Sequence, residues 1–249
     1  MTIRKIKGVL FDLGDTLLDF GDVDIRGLFE SGTHLAYDYL REHRQPLPSF
    51  TKYHRLQLWT IRWHYFKSHL TGREFNALDV IGRLSSRMGQ TLTRDQTVEL
   101  AWLWYKPLSE SGKLEEGVRQ MLQAFRDEGL KLGVVSNTFI PGEVLDRHLQ
   151  REGLLELLPT RIYSCNVGYR KPNPKIFAAA LQQAELQPEE TVFVGDSPQA
   201  DIRGANRVGM ISVLKDPSGR YANGKAGARY RIGGLVQLQR ILAECNGDL

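Results

Sequence analysis

Cysteine is scarce in this 249-residue chain: only Cys165 and Cys245 occur, and neither stands in a CxxC or Cys/His spacing. A disulfide framework is thereby excluded, and two free thiols in a reducing compartment are expected. No run approaches the ~18 uncharged residues of a membrane span, and the first eight residues lack the apolar core of a signal peptide. A cytoplasmic protein with no membrane partner is the expectation. Internal repeats and low-complexity blocks are also missing, which removes solenoids and arrays. What remains has an ordinary globular composition, 41% hydrophobic and 25% charged with a net charge of +4. The length suffices for one core with an insertion.

Acid is locally absent too. From Arg41 to Arg73 the basic residues Arg41, Arg44, Lys52, Arg55, Arg62, Lys67 and Arg73 face a single acid, Glu42. Such a stretch suits an anionic partner or a solvated basic helix face. Nucleic acid is not the expected partner, because no reader motif accompanies the charge. Tyr53, Leu56, Trp59, Trp63, Phe66 and Leu70 fall at steps of three and four, so one helix face carries all six. Packing of that stripe against a neighbouring helix is expected.

Strand-like runs are missing between residues 22 and 105, whereas residues 7–12 read as a buried strand. After Pro107 and Gly112, strand and helix patterns alternate. Strands are expected at Lys131–Ser136, Arg161–Ser164, Thr191–Gly195 and Ile211–Leu214. Helices are expected at Glu116–Glu128, from about Pro141, from Pro174, across Asp201–Val208 and at Leu235–Glu244. This is the pattern of an α/β fold with a Rossmann-like parallel sheet. The expected division is a core of residues 1–20 and 106–249, interrupted by an all-helical insertion at 21–105.

Ligands of an open parallel sheet bind at the carboxyl ends of its strands. Polar residues stand there repeatedly: Asp12 after the first strand, Ser136 and Asn137 after Val134-Val135, and Asp196 and Ser197 after Val194-Gly195. Lys171 precedes a helix whose start is marked by Asn173 and Pro174. Four ordered motifs, Phe11-Asp-Leu-Gly-Asp-Thr-Leu17, Val135-Ser-Asn137, Arg170-Lys-Pro172 and Val194-Gly-Asp-Ser-Pro198 with Asp201, identify a resemblance to the haloacid dehalogenase superfamily, and the helical insertion stands where that family carries its C1-type cap.

The resemblance implies a phosphatase-like hydrolase of a small anionic, phosphorylated substrate, with Mg²⁺ as cofactor. Asp12 would be the nucleophile, Ser136, Asn137 and Lys171 would contact the phosphoryl group, and Asp201 would support metal or lysine. Asp12, the carbonyl of Gly14 and Asp196 would bind the metal. The family's phosphatases carry a second aspartate where this chain has Gly14, so the carbonyl is kept and the acid/base carboxylate is lost. Asp15, one residue further on, is expected to serve its own turn instead. A catalytically weak binding protein remains an alternative, as does dehalogenase or phosphonatase chemistry, the latter needing a lysine such as Lys52 or Lys67. The family's dehalogenases resemble Ser-Ser-Asn where this chain has Gly195-Asp196-Ser197, and Asp196 argues against them.

Overall fold

The computed structural model describes residues 5–247 apart from 222, 223 and 225. Its centre is a sheet of six parallel strands, β1 (Gly8–Phe11), β4 (Lys131–Ser136), β5 (Thr160–Tyr163), β6 (Thr191–Gly195), β7 (Ile211–Lys215) and β8 (Tyr230–Ile232), in the order β5-β4-β1-β6-β7-β8. Leu10 pairs with Gly133 on one side and Phe193 on the other, so β1 lies at the middle. The strands are apolar on both faces because helices cover both. Val9, Phe11, Val134 and Val194 pack toward α5 (Val118–Asp127), α6 (Gly142–Arg151) and α10 (Leu238–Asn246). Leu10, Val135 and Phe193 pack toward α8 (Pro174–Ala184) and α9 (Arg203–Val208). The expected α/β architecture is present, with α7 (Ser164–Val167) a single turn after β5.

Four helices, α1 (Ile25–Glu42), α2 (Phe50–Thr71), α3 (Ala77–Arg87) and α4 (Arg94–Ser109), form an insert between β1 and the core helix α5. Both passages into this insert are tied together. The two-residue strands β2 (Leu18–Asp19) and β3 (Lys113–Leu114) pair antiparallel, Leu18 with Leu114. Helix α4 continues past residue 105, the expected end of the insertion, to Ser109, with Pro107 inside its last turn, where the Leu103 carbonyl loses the N–H it would otherwise accept. The helix of 201–208 also differs from expectation: residues 198–202 form a π-turn, and the α-helix starts at Arg203.

The aromatic stripe of α2 corrects the sequence reading. The helix buries Tyr53, Gln57, Ile61 and Ser68. Trp59, Trp63, Phe66 and Leu70 are 67%, 53%, 59% and 76% exposed. At 100° per residue these four side chains centre roughly 155° away from the buried face, on which Tyr53 of the predicted stripe lies. The first two residues of the stripe, Tyr53 and Leu56, pack as expected, whereas its last four face solvent, and the face that packs along the helix carries Tyr53, Gln57, Ile61 and Ser68.

Insert and core meet through specific contacts. Phe139, three residues beyond β4, stacks on Phe75 with ring planes 8° apart, and its carbonyl accepts the Ala77 N–H at 2.9 Å. The Glu74 side chain has no exposed surface and pairs with Arg170; Ser68 Oγ and Ser164 Oγ donate to its two oxygens at 2.8 and 3.1 Å. Tyr105 of α4 meets His148 Nδ1 of α6 at 3.0 Å. Burial pushes the His148 pKa down to about 4, and the Arg151 charge acts in the same direction.

Two predictions follow from this seam. Glu74→Ala leaves Arg170 without its buried carboxylate and is expected to cost about 3 kcal/mol in denaturant unfolding. His148 stays neutral when folded but protonates near pH 6.5 when unfolded, so the unfolded chain binds more protons in the window between those values. Stability is therefore lost as pH falls from about 6.5 to about 4, and His148→Gln should lose less over that window when unfolding midpoints are compared.

Candidate active site

The four sequence motifs converge at the carboxyl ends of β4, β1 and β6. Asp12 follows directly on β1, and its N–H donates to the Val194 carbonyl at 2.8 Å, which fixes it between the two neighbouring strand ends. Ser136 is the last residue of β4 and is buried. Asp196 follows β6.

Lys171 arrives from the loop ahead of α8, and its ammonium is the centre of the site. Nζ lies 2.7 Å from Asp12 Oδ1 and 2.7 Å from Asp201 Oδ1. The lysine is buried, which alone would lower its pKa, but the charges of Asp12 and Asp201 outweigh burial and raise it. Asp12 shows the opposite balance. Burial pushes its pKa up to about 7, Lys171 works against that, and the charges of Asp201 and Asp196 add to it. Burial followed by the Asp201 charge also raises Asp196. Oxygens of Asp12, Asp196 and Asp201 lie within 4.8 Å of one another. Three crowded carboxylates around one ammonium suit a further hard cation, which prefers oxygen ligands.

The surroundings hold these groups in place. Asn137 clamps the Lys171 main chain: its Oδ1 accepts the Lys171 N–H at 2.7 Å and its Nδ2 donates to the Lys171 carbonyl at 3.1 Å. Asp201 is fully buried, and its second oxygen accepts the Ser197 N–H at 2.9 Å. A side chain at Gly195 would bring a Cβ within 2.4 Å of the Asp201 carboxyl carbon, so the glycine makes room for the acid. Asp15 is exposed and left-handed at φ 55°, with its N–H bonded to the Leu18 carbonyl in the turn.

Gly14 has a different character. Its φ is not in the left-handed region, and a Cβ there would meet only Phe20 Cε2, at 3.7 Å. The backbone does not require a glycine. Phe20 in turn faces His148, at 6.5 Å between ring centroids. On α2, Lys52, Arg55, Arg62 and Lys67 are all exposed, and Lys171 supplies the positive charge in contact with Asp12.

Two residues escaped the sequence reading. Thr16 Oγ1 donates to Asp196 Oδ1 at 3.3 Å, and the buried Lys215 donates to the Thr16 carbonyl at 2.8 Å. Lys215 also lies 3.7 Å from Glu115 Oε2. Lys215 ends β7, so a charge at the carboxyl end of an apolar run was a usable signal. Thr16 carried none, being one polar residue among several in a turn.

A family model of haloacid dehalogenase-like hydrolases matches residues 6–209. A glyceraldehyde 3-phosphate phosphatase from Methanopyrus kandleri is 31% identical over 84% of this chain and 83% of its own. Among solved structures, a HAD phosphatase from Thermococcus onnurineus is 26% identical with a TM-score of 0.59, covering 95% of this chain and 98% of its own. A 2-haloacid dehalogenase from Pseudomonas syringae, 24% identical over 96% of this chain and 99% of its own, has a TM-score of 0.66 and shares the fold. The family match together with the convergence of four motifs on Asp12 places this chain among the haloacid dehalogenase-like hydrolases, of the phosphatase type.

Proposed function

We propose that the chain hydrolyses a small phosphorylated metabolite, with Asp12 as the nucleophile. The observation that carries this reading is the Lys171 ammonium held 2.7 Å from both Asp12 and Asp201. A buried carboxylate with a raised pKa needs such a partner to be ionised, and only the ionised form attacks phosphorus. In the first half-reaction an Asp12 oxygen forms a bond to phosphorus as the ester oxygen leaves with the electron pair and takes a proton from solvent. In the second, water attacks phosphorus, gives up a proton to solvent, and releases phosphate and the free Asp12 carboxylate.

Ser136 donates to a phosphoryl oxygen, and Lys171 balances its charge. Asn137 and Asp201 act by positioning Lys171. Asp12, Asp196 and the carbonyl of Gly14 are the groups that would hold Mg²⁺; the fit rests on the crowding of carboxylates around a single ammonium. When bound, the ion supplies charge neutralisation for the phosphoryl oxygens. Asp196 favours this chemistry over halide displacement. The weak-binder alternative rests on Gly14 alone, whereas Asp12, Ser136, Lys171, Asp196 and Asp201 are all retained.

Phosphate release from a panel of phosphomonoesters in Mg²⁺ tests the reading, with 2-haloacids run beside it for halide release. Wild type is expected to turn over at least one phosphomonoester and Asp12→Asn to abolish it; phosphate release unchanged in Asp12→Asn overturns the nucleophile. Gly14→Asp restores a carboxylate where the backbone accepts one and is expected to raise kcat by about 10²-fold or more. Calorimetric titration with Mg²⁺ should show binding by wild type that Asp196→Asn weakens at least about tenfold.

A further inference from the structure

Four of the eight exposed large apolar side chains among the described residues, Trp59, Trp63, Phe66 and Leu70, crowd onto one face of α2. Isolated apolar residues on a surface are ordinary, but a contiguous stripe marks a contact site. From Trp59 to Leu70 the stripe runs about 16 Å along the helix. The rings of Trp59 and Trp63 are parallel within 5°, at 6.5 Å between centroids. The opposite face is fixed in the insert by Tyr53, Gln57, Ile61 and Ser68, so the stripe projects from a rigid ridge.

The charge on this helix is of one sign. Lys52, Arg55, Arg62 and Lys67 are exposed along it, and α2 contains no aspartate or glutamate. We infer that this face of α2 docks on an anionic bilayer surface, the aromatic and leucine side chains entering the headgroup boundary while the flanking basic residues meet lipid phosphates or carboxylates. No helix among the described residues is long and apolar enough to cross a membrane, so the contact is in-plane.

Charge and shape select this occupant over the others. A second copy placed about a two-fold axis on the same face would bring like-charged flanks together with no acid on either helix, and a stripe this short buries little for a stable dimer. A single-stranded nucleic acid would use stacking planes, but Leu70, the most exposed of the stripe, has none. A bilayer accepts a convex ridge, buries all of these side chains alike and leaves the long basic stems room to reach back to the headgroups.

The test is sedimentation of the full chain with phosphatidylcholine vesicles, with and without about 30% phosphatidylserine, at about 0.1 M salt. Wild type is expected to partition at least about tenfold more strongly to the anionic vesicles. The double variant Trp59→Ser with Trp63→Ser, and separately Arg55→Glu with Arg62→Glu, should each lose about tenfold or more while melting temperature and phosphate release stay unchanged. The inference is overturned by equal binding to neutral vesicles, by no binding at all, or by tryptophan variants that bind as wild type. It is equally overturned by a wild-type dimer that those variants dissolve, or by oligonucleotide binding that requires the same tryptophans.

Discussion

One buried ammonium organises this molecule's chemistry. Lys171 has almost no contact with water, so its charge persists only because Asp12 and Asp201 stand within hydrogen-bond distance. The dependence is mutual, because burial drives Asp12 toward its neutral form. Much of the surrounding detail serves that exchange. Asn137 fixes the lysine main chain, Gly195 leaves space for the Asp201 carboxyl, and the Ser197 N–H occupies the oxygen of Asp201 that Lys171 does not. The third-motif segment is anchored a second time through Arg170, whose partner Glu74 belongs to the insert. The insert and the reacting groups are thus mechanically linked through adjacent residues of one loop.

Much of this was legible in the sequence for a physical reason. Parallel strands buried on both faces read as uninterrupted apolar runs, and their carboxyl ends are where polar residues become conspicuous. Asp12, Ser136, Asn137 and Asp196 announce themselves in that way. The pairs β2–β3 and strand β8 did not, because two or three residues without alternation carry no period. Helix α2 failed differently. Its apolar stripe was read at the right positions, but a helical period gives the relative arrangement of side chains and not which side the protein covers. The clamp from Lys215 through Thr16 to Asp196 joins residues about 200 positions apart, and no local pattern encodes it.

Gly14 illustrates the difference between a glycine that geometry demands and one that it does not. At Gly195 a side chain would collide with Asp201, whereas at Gly14 a Cβ has an ordinary contact with Phe20 and the backbone is not left-handed. The choice of side chain at residue 14 is consequently separable from the folding of the turn. The same turn is tied to the sheet by Lys215, which donates to the Thr16 carbonyl.

The β2–β3 pair bears on how the chain assembles. Gly8 pairs with Lys131 and with Thr191, so the central strand waits for partners more than 120 residues away. Closing such a loop in a disordered chain is slow and entropically costly. Once the helices between them have packed, Leu18 and Leu114 are already neighbours, and the remaining slack between β1 and β4 is only about two dozen residues. An insert that interrupts the sheet in sequence is therefore bridged at its base in the folded chain, so that the β2–β3 pair, and not the full length of the insert, spans the gap between β1 and β4.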